Sequence, residues 1–202
     1  MALLHLLRHG QHDLGGGVLA GRMPGVGLTE TGRAEIAAAA ERLAGEDIAA
    51  LYASPLQRTR ESAEIVSERL GLPIEFRDDL VELDFGEWTG TTFDAIRADP
   101  RWRTWSQHRS LANIPGGETM RAVQFRAVEA VIEIGDRHRD AASVLVSHGD
   151  VIRSVLVFAL GMPLDFFQRL EISPASVSLI CFGDGFIQVG YVNDQAANRI
   201  AE

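Results

Sequence analysis

Residues 2–10 read Ala-Leu-Leu-His-Leu-Leu-Arg-His-Gly, an apolar run that ends abruptly in a cation, an imidazole and a glycine. The run is far too short to cross a membrane and reads as a short buried strand. A strand that only filled a core would need no such ending. Two other apolar runs end in the same manner. Residues 48–53 lead into Ser54-Pro55-Leu56-Gln57-Arg58, and residues 143–147 lead into Ser147-His148-Gly149-Asp150.

Helical signals lie between these strands. Thr29 suits the N-cap of a helix over 30–44, with Gly45 following. Pro55 suits the first turn of a helix that runs to Leu70 and stops at Gly71. Residues 151–160 predict another helix, ended by Gly161. Near the C-terminus, 177–182 and 186–192 flank Gly183-Asp184-Gly185, a hairpin signal. Strands alternating with helices predict the α/β class with a largely parallel sheet, to which the hairpin adds antiparallel pairing. Residues 84–118 differ. They hold all three tryptophans (Trp88, Trp102, Trp105) among Pro and Gly, and read as a loop-rich insertion in a single domain spanning 1–202.

In open α/β sheets, ligands bind beyond the carboxyl ends of the strands. Arg8, His9, Arg58 and His148 are therefore expected to share one crevice. Taken singly, each has a plain structural reading: a hydrogen-bonded strand-end histidine, or a surface arginine. Together, two arginines, two imidazoles and a helix N-terminus make an anion-binding pocket. The whole chain carries a formal charge of −9 and a sequence pI near 5.1. Such a surface repels polyanions, so the expected ligand is a small dianion. All 19 basic residues are arginine, and none forms a block that would suit nucleic acid. Cys181 is the single cysteine, expected to be buried, and no internal disulfide is available. The start of the chain does not read as a leader peptide, and no segment reaches transmembrane length. A cytoplasmic location is the expectation. A homodimer is compatible with the sequence but nothing in it specifies one.

Five stretches carry a family resemblance: LLRHG at 6–10 with its preceding leucine strand, ASPLQRTRES at 53–62, VELDFGEWTG at 81–90, PGGET at 115–119 and VSHGD at 146–150. In this order they resemble the histidine phosphatase superfamily, in the branch of phosphoglycerate mutase-like enzymes and broad-specificity phosphatases. The resemblance implies a three-layer α/β/α sandwich whose mostly parallel sheet contains one antiparallel strand. It implies His9 as the phosphorylated nucleophile. Arg8, Arg58 and His148 would hold the phosphoryl oxygens, with Gly149 beside them, and Glu82 would donate the proton. No cofactor and no metal are called for, and the expected partner is a small phosphorylated substrate.

The chemistry of these residue types agrees. A neutral imidazole attacks phosphorus through Nε2 if Nδ1 donates to a fixed acceptor, for which a backbone carbonyl near Gly10 is at hand. Arginine forks spread charge over the equatorial oxygens. Glu82 supplies a proton if burial raises its pKa; Asp84 and Glu87 are nearby competitors. The chain departs from the family where an Asn often touches phosphate, because Gly15 stands there. Gln11, or the amides of Gly15-Gly16-Gly17, are the expected replacements. Arg22, in a Gly-Arg segment, is a further candidate substrate contact. Phe85, the tryptophans and the 110–119 loop are expected at the pocket's rim, unless the indoles form a satellite core.

The favoured reading is a phosphomonoesterase. A phosphomutase is the alternative; the short span between Glu82 and His148 and the absence of lysine weigh against it. A metallohydrolase using His9, His12, Asp13, His148 and Asp150 is remote, since Asp150 sits where a helix N-cap belongs and His12-Asp13 has no matched second cluster. A non-catalytic binding protein would not need the intact Arg8, His9, Arg58, Glu82 and His148 set.

Overall fold

The computed structural model describes residues 1–15, 17–183 and 185–195. Six strands form one sheet: β1 (Ala2–Arg8), β2 (Ile48–Ala53), β3 (Ile74–Phe76), β4 (Ala142–Ser147), β5 (Val177–Gly183) and β6 (Phe186–Asp194). Their order is β3-β2-β4-β1-β5-β6. β1 to β4 pair in parallel, and β5 runs antiparallel to both of its neighbours. The sheet is thus mostly parallel with one antiparallel strand. Asp184 of the expected hairpin turn, Gly16 and the tail 196–202 lie outside the described residues.

Pleating sorts the side chains into two layers. Leu4 and Leu6 of β1, Tyr52 of β2 and Leu145 of β4 share a core with helices α5 (Met120–Arg137) and α6 (Gly149–Ala159). Leu7, Leu51, Ala53, Val144 and Val146 face the other way, onto α1 (Glu30–Leu43) and α2 (Gln57–Leu70). Each fully buried leucine contributes roughly 2–3 kcal/mol. The result is the three-layer sandwich.

Local signals place the helix ends. The Thr29 hydroxyl accepts from the Gly32 amide at 3.0 Å, starting α1. Gly71 ends α2 in the left-handed conformation at φ 70°. Pro55 does not join α2, which begins at Gln57, because Ser54 still pairs with β4 through its amide and the Val146 carbonyl. α6 starts at Gly149 with His148 as N-cap, so Asp150 lies in the first turn rather than at the cap. The segment 84–118 is not loop throughout. It carries a short 3-10 turn and two helices, α3 (Phe93–Ile96) and α4 (Pro100–Gln107). Asp99 caps α4 by accepting from the Arg101 amide at 2.8 Å, and Pro100 occupies its first position.

One close approach holds the β1 turn. Gly10 and Gly32 pack back to back, and a Cβ on Gly32 would fall onto the Gln11 backbone. Gly32→Ala would help an isolated helix by up to about 1 kcal/mol. Here it is expected to destabilise the protein by about 1–3 kcal/mol, because backbone must move to admit the methyl. A thermal melt should show a Tm lower by roughly 2–12 °C; an unchanged or higher Tm would contradict this packing. Among the described residues, no helix is long and apolar enough to cross a membrane.

Candidate active site

The parallel register brings three strand ends to one edge. Arg8 lies opposite Ser147, and Ala53 opposite Val146. The chain leaving each strand stays pinned: the His9 amide donates to the Ser147 carbonyl at 3.1 Å, and the His9 carbonyl accepts from Ala175 at 3.2 Å. The turn residues therefore converge as expected.

His9 is buried, with Nδ1 2.8 Å from the Gly10 carbonyl. A carbonyl only accepts, so Nδ1 carries the hydrogen and Nε2 carries the lone pair. A second contact agrees: the Arg58 Nε–H donates to His9 Nε2 at 3.2 Å. Arg58 is 2% exposed and fixed by donating from Nη2 to the Gly21 carbonyl at 2.7 Å. Its Nη1, and Arg8 Nε, have no partner among the described residues although both are buried. Arg8 is anchored through Nη1 to the Ile172 carbonyl. His148 is fully buried, its Nε2 2.8 Å from Ser54 Oγ and its ring edge-on to His9 at 5.3 Å. Its Nδ1 is also without a partner among the described residues. Burial, and then the Arg58 charge, push both imidazoles well below the ordinary histidine pKa, so both are neutral.

Glu82 is 9% exposed and joins Arg8, His9, Arg58 and Gly149 in the wall of a cavity of about 410 Å³. Burial, reinforced by the Asp150 carboxylate, raises its pKa to about 7. Its competitors are elsewhere engaged. Asp84 accepts from the Gly86 amide at 2.8 Å, and Glu87 is exposed beside Arg101. Such a site offers a neutral nitrogen nucleophile, unpaired buried guanidinium N–H groups for an anion, and a carboxyl protonated near neutrality.

Residues 4–195 match the model of the histidine phosphatase superfamily (branch 1). The chain belongs to this superfamily. It is 38% identical over 194 residues to the bifunctional protein Rv2228c of Mycobacterium tuberculosis, covering 94% of this chain and 53% of that protein. The chain thus spans about half the length of the first curated relatives it matches. Among solved structures, YhfR of Bacillus stearothermophilus superposes with a TM-score of 0.90 at 32% identity, covering 96% of this chain and 98% of that one. The mycobacterial glucosyl-3-phosphoglycerate phosphatase Rv2419c superposes with a TM-score of 0.86 at 27% identity, covering 96% and 99%.

The rest of this phosphatase-family cavity was only partly expected. Phe85, Phe93, Trp102 and Trp105 form an aromatic wall. Trp88 and Trp105 are buried in the core and Trp102 packs against it, so the indoles are core and, for Trp102 and Trp105, rim as well. Trp88 and the 110–119 loop are not in the wall. Gln11 is exposed and does not line the cavity; its backbone ties the β1 turn to Thr29 and Glu35 instead. Arg22 also misses the wall, because it donates to the Glu82 carbonyl and to Glu118. Gly15 lines the cavity; Gly17 does not, and Gly16 lies outside the described residues.

Four wall residues were not among the expected substrate contacts. His12 lies 5.5 Å from the His9 ring. Arg109 is 6% exposed, stacked 3.8 Å over Trp105, and 3.8 Å from Asp150, which also pairs with Arg153 at 3.3 Å. Gln168 completes the rim. Arg153 follows Gly149 by four residues, so helical spacing alone puts it on the same face. Nothing comparable marks Arg109. Of the metallohydrolase candidates, Asp13 is exposed, and no three His, Cys, Asp or Glu side chains among the described residues are grouped as metal donors.

Proposed function

We propose that this chain is a metal-independent phosphomonoesterase that hydrolyses small phosphate monoesters through a phosphohistidine at His9. The observation that carries the reading is the doubly fixed tautomer of His9, which aims the Nε2 lone pair at Arg58 inside the cavity.

An incoming phosphate takes over the Arg58 N–H that His9 now accepts. Arg8, Arg58 and the N-terminus of α6 at Gly149 then hold the equatorial oxygens, with the buried His148 behind them. The Nε2 lone pair forms the N–P bond as the P–O bond to the alkoxide breaks. The proton on Glu82 goes to the departing oxygen. Throughout, the Gly10 carbonyl stabilises the Nδ1–H that now carries positive charge. In the second half, water attacks phosphorus, Glu82 takes back a proton from it, and the N–P bond breaks to give inorganic phosphate and free His9.

The test is a phosphate-release screen over alkyl and aryl monoesters, with and without chelator and bisphosphoglycerate. Release that resists chelator is expected. Isomerised ester in place of inorganic phosphate, seen only with bisphosphoglycerate, would turn the reading to a mutase. Abolition by chelator would refute metal independence. Arg8→Ala and Arg58→Ala should each lose on the order of 10²-fold in kcat/KM, since each removes a preorganised donor, and His148→Ala a similar factor, since it removes the buried ring packed against His9. Vanadate should compete with substrate in the wild type and bind more weakly in each variant. Undiminished vanadate affinity in Arg58→Ala would remove Arg58 from the phosphoryl site.

A further inference from the structure

The PGGET stretch at 115–119 enters the proposed reaction nowhere, yet its Glu118 is tied to the Glu82 peptide. Glu118 Oε2 accepts from Arg22 Nη2 at 2.8 Å. The same carboxylate takes Arg126 bidentately, Oε1 from Nε at 2.8 Å and Oε2 from Nη2 at 3.0 Å. Both guanidiniums then reach one acceptor, the main-chain carbonyl of Glu82: Arg22 through Nε at 2.8 Å, Arg126 through Nη2 at 3.4 Å. The other side of that peptide unit is the Leu83 N–H, which donates to Glu82 Oε1 at 2.9 Å. The peptide between residues 82 and 83 is therefore gripped at its oxygen by two arginines, and grips the Glu82 carboxyl with its hydrogen. Any rotation of this plane carries the carboxyl with it.

Three further contacts make the arrangement rigid. Arg126 Nη1 donates to the Asp79 carbonyl at 2.6 Å, the Glu118 amide to the Asp84 carbonyl at 3.0 Å, and the Glu87 amide to Pro115 at 3.0 Å. The Glu118 and Arg126 side chains are each 18% exposed, so the pair is largely out of water. Glu118 lies between two cations that would otherwise repel each other, and its two oxygens fix their spacing.

We infer that Glu118 is a positioning residue for proton transfer: through Arg22 and Arg126 it sets the plane of the 82–83 peptide and so aims the Glu82 carboxyl at the leaving oxygen. The inference rests on the reading of Glu82 as proton donor. It assigns no phosphate contact to Arg22, Arg126 or Glu118. Loss of the clamp therefore affects the step that needs the proton and spares substrate binding.

Glu118→Gln keeps one acceptor oxygen and replaces the other by an NH₂ that faces a guanidinium. Its kcat/KM, which reports formation of the phosphohistidine and not its hydrolysis, should fall on the order of 10-fold on an alkyl monoester, as expected for a misaimed group. Its kcat/KM on p-nitrophenyl phosphate, and its affinity for vanadate, should stay within about two-fold of wild type. Arg22→Ala, at a side chain 38% exposed, should show a weaker form of the same split and serves if Glu118→Gln does not fold by circular dichroism. In a Glu82→Gln background, adding Glu118→Gln should cost nothing further on the alkyl ester, because no proton remains to be aimed. An equal loss on both ester types, a loss that persists in the Glu82→Gln background, or no loss at all would overturn the inference. If Glu82→Gln alone shows the leaving-group split and Glu118→Gln does not, only the clamp fails; if neither shows it, the assignment of Glu82 fails too.

Discussion

His9→Ala is expected to abolish turnover, by at least about 10⁴-fold in kcat, while the protein still folds and still binds vanadate. The magnitude follows from position. His9 Nε2 is a lone pair that the site orients inside the cavity, with the ring's proton held on the opposite nitrogen by Gly10. Water in its place would have to lose a proton during attack, while Glu82 holds the proton that the leaving oxygen needs. Binding should survive because Arg8 and Arg58 are anchored independently, to the carbonyls of Ile172 and Gly21. Removing the ring even frees Arg58 Nε for an anion. A brief exposure of wild type to labelled substrate should leave label on His9, stable to alkali and lost in acid. Alanine at this position should carry none. Substantial turnover by His9→Ala, or label on another residue, would sink the mechanism. Because burial and Arg58 keep His9 neutral, acid should not disarm it until well below the ordinary histidine range.

The features legible in the sequence are those that local chemistry decides. An apolar strand that ends in Arg-His-Gly can be read without a partner strand, and so can a Thr cap or a Gly stop. The parallel register then does the rest, setting Arg8 beside Ser147 and Ala53 beside Val146. The Gly10 acceptor for Nδ1 was equally accessible, because it is the neighbouring residue. What sequence did not disclose depends on distant packing. Arg109 reaches the cavity only because α4 and the following turn lay it over Trp105. Arg22 looked like a substrate contact because of its loop, but Glu118, 96 residues away, draws it to the back of Glu82. The Asp99-Pro100 pair did carry a helix start, which a reading of the tryptophan-rich stretch as loop passed over. Glu82 is intermediate. Composition could not rank it above Asp84 and Glu87; the motif resemblance put it first, and in the structure its burial beside Arg8 and Arg58 sets it apart from the other two.

Glu82→Gln should lose on the order of 10²–10⁴-fold on alkyl monoesters and clearly less on p-nitrophenyl phosphate. An alkoxide is a strong base and cannot leave without a proton in the transition state, whereas p-nitrophenolate leaves unaided. Glutamine keeps the size of the side chain and the oxygen that accepts from the Leu83 amide, so geometry is held while the proton is lost. The pH dependence has a definite sign. Only the protonated carboxyl acts as acid, and burial with the nearby Asp150 charge raises its pKa to about 7. Wild-type kcat/KM on an alkyl ester should therefore fall as pH rises through that region, and Glu82→Gln should lack that limb. Stability carries the same signature. A carboxyl whose folded pKa lies above its ordinary 4.5 stabilises the fold fully below that value, and the contribution fades as pH rises towards 7. Above it, a buried carboxylate is a cost that glutamine does not carry. Glu82→Gln should thus be more stable than wild type in alkaline solution, on the order of 1–3 kcal/mol, and equal to it in acid. Parallel melts at both ends of the range check this without any substrate. Asp84→Asn, whose side chain only accepts from Gly86, should show neither the leaving-group split nor the alkaline gain. If Asp84→Asn showed both and Glu82→Gln neither, the proton donor would be Asp84, and the buried carboxyl at Glu82 would be left with a purely structural part.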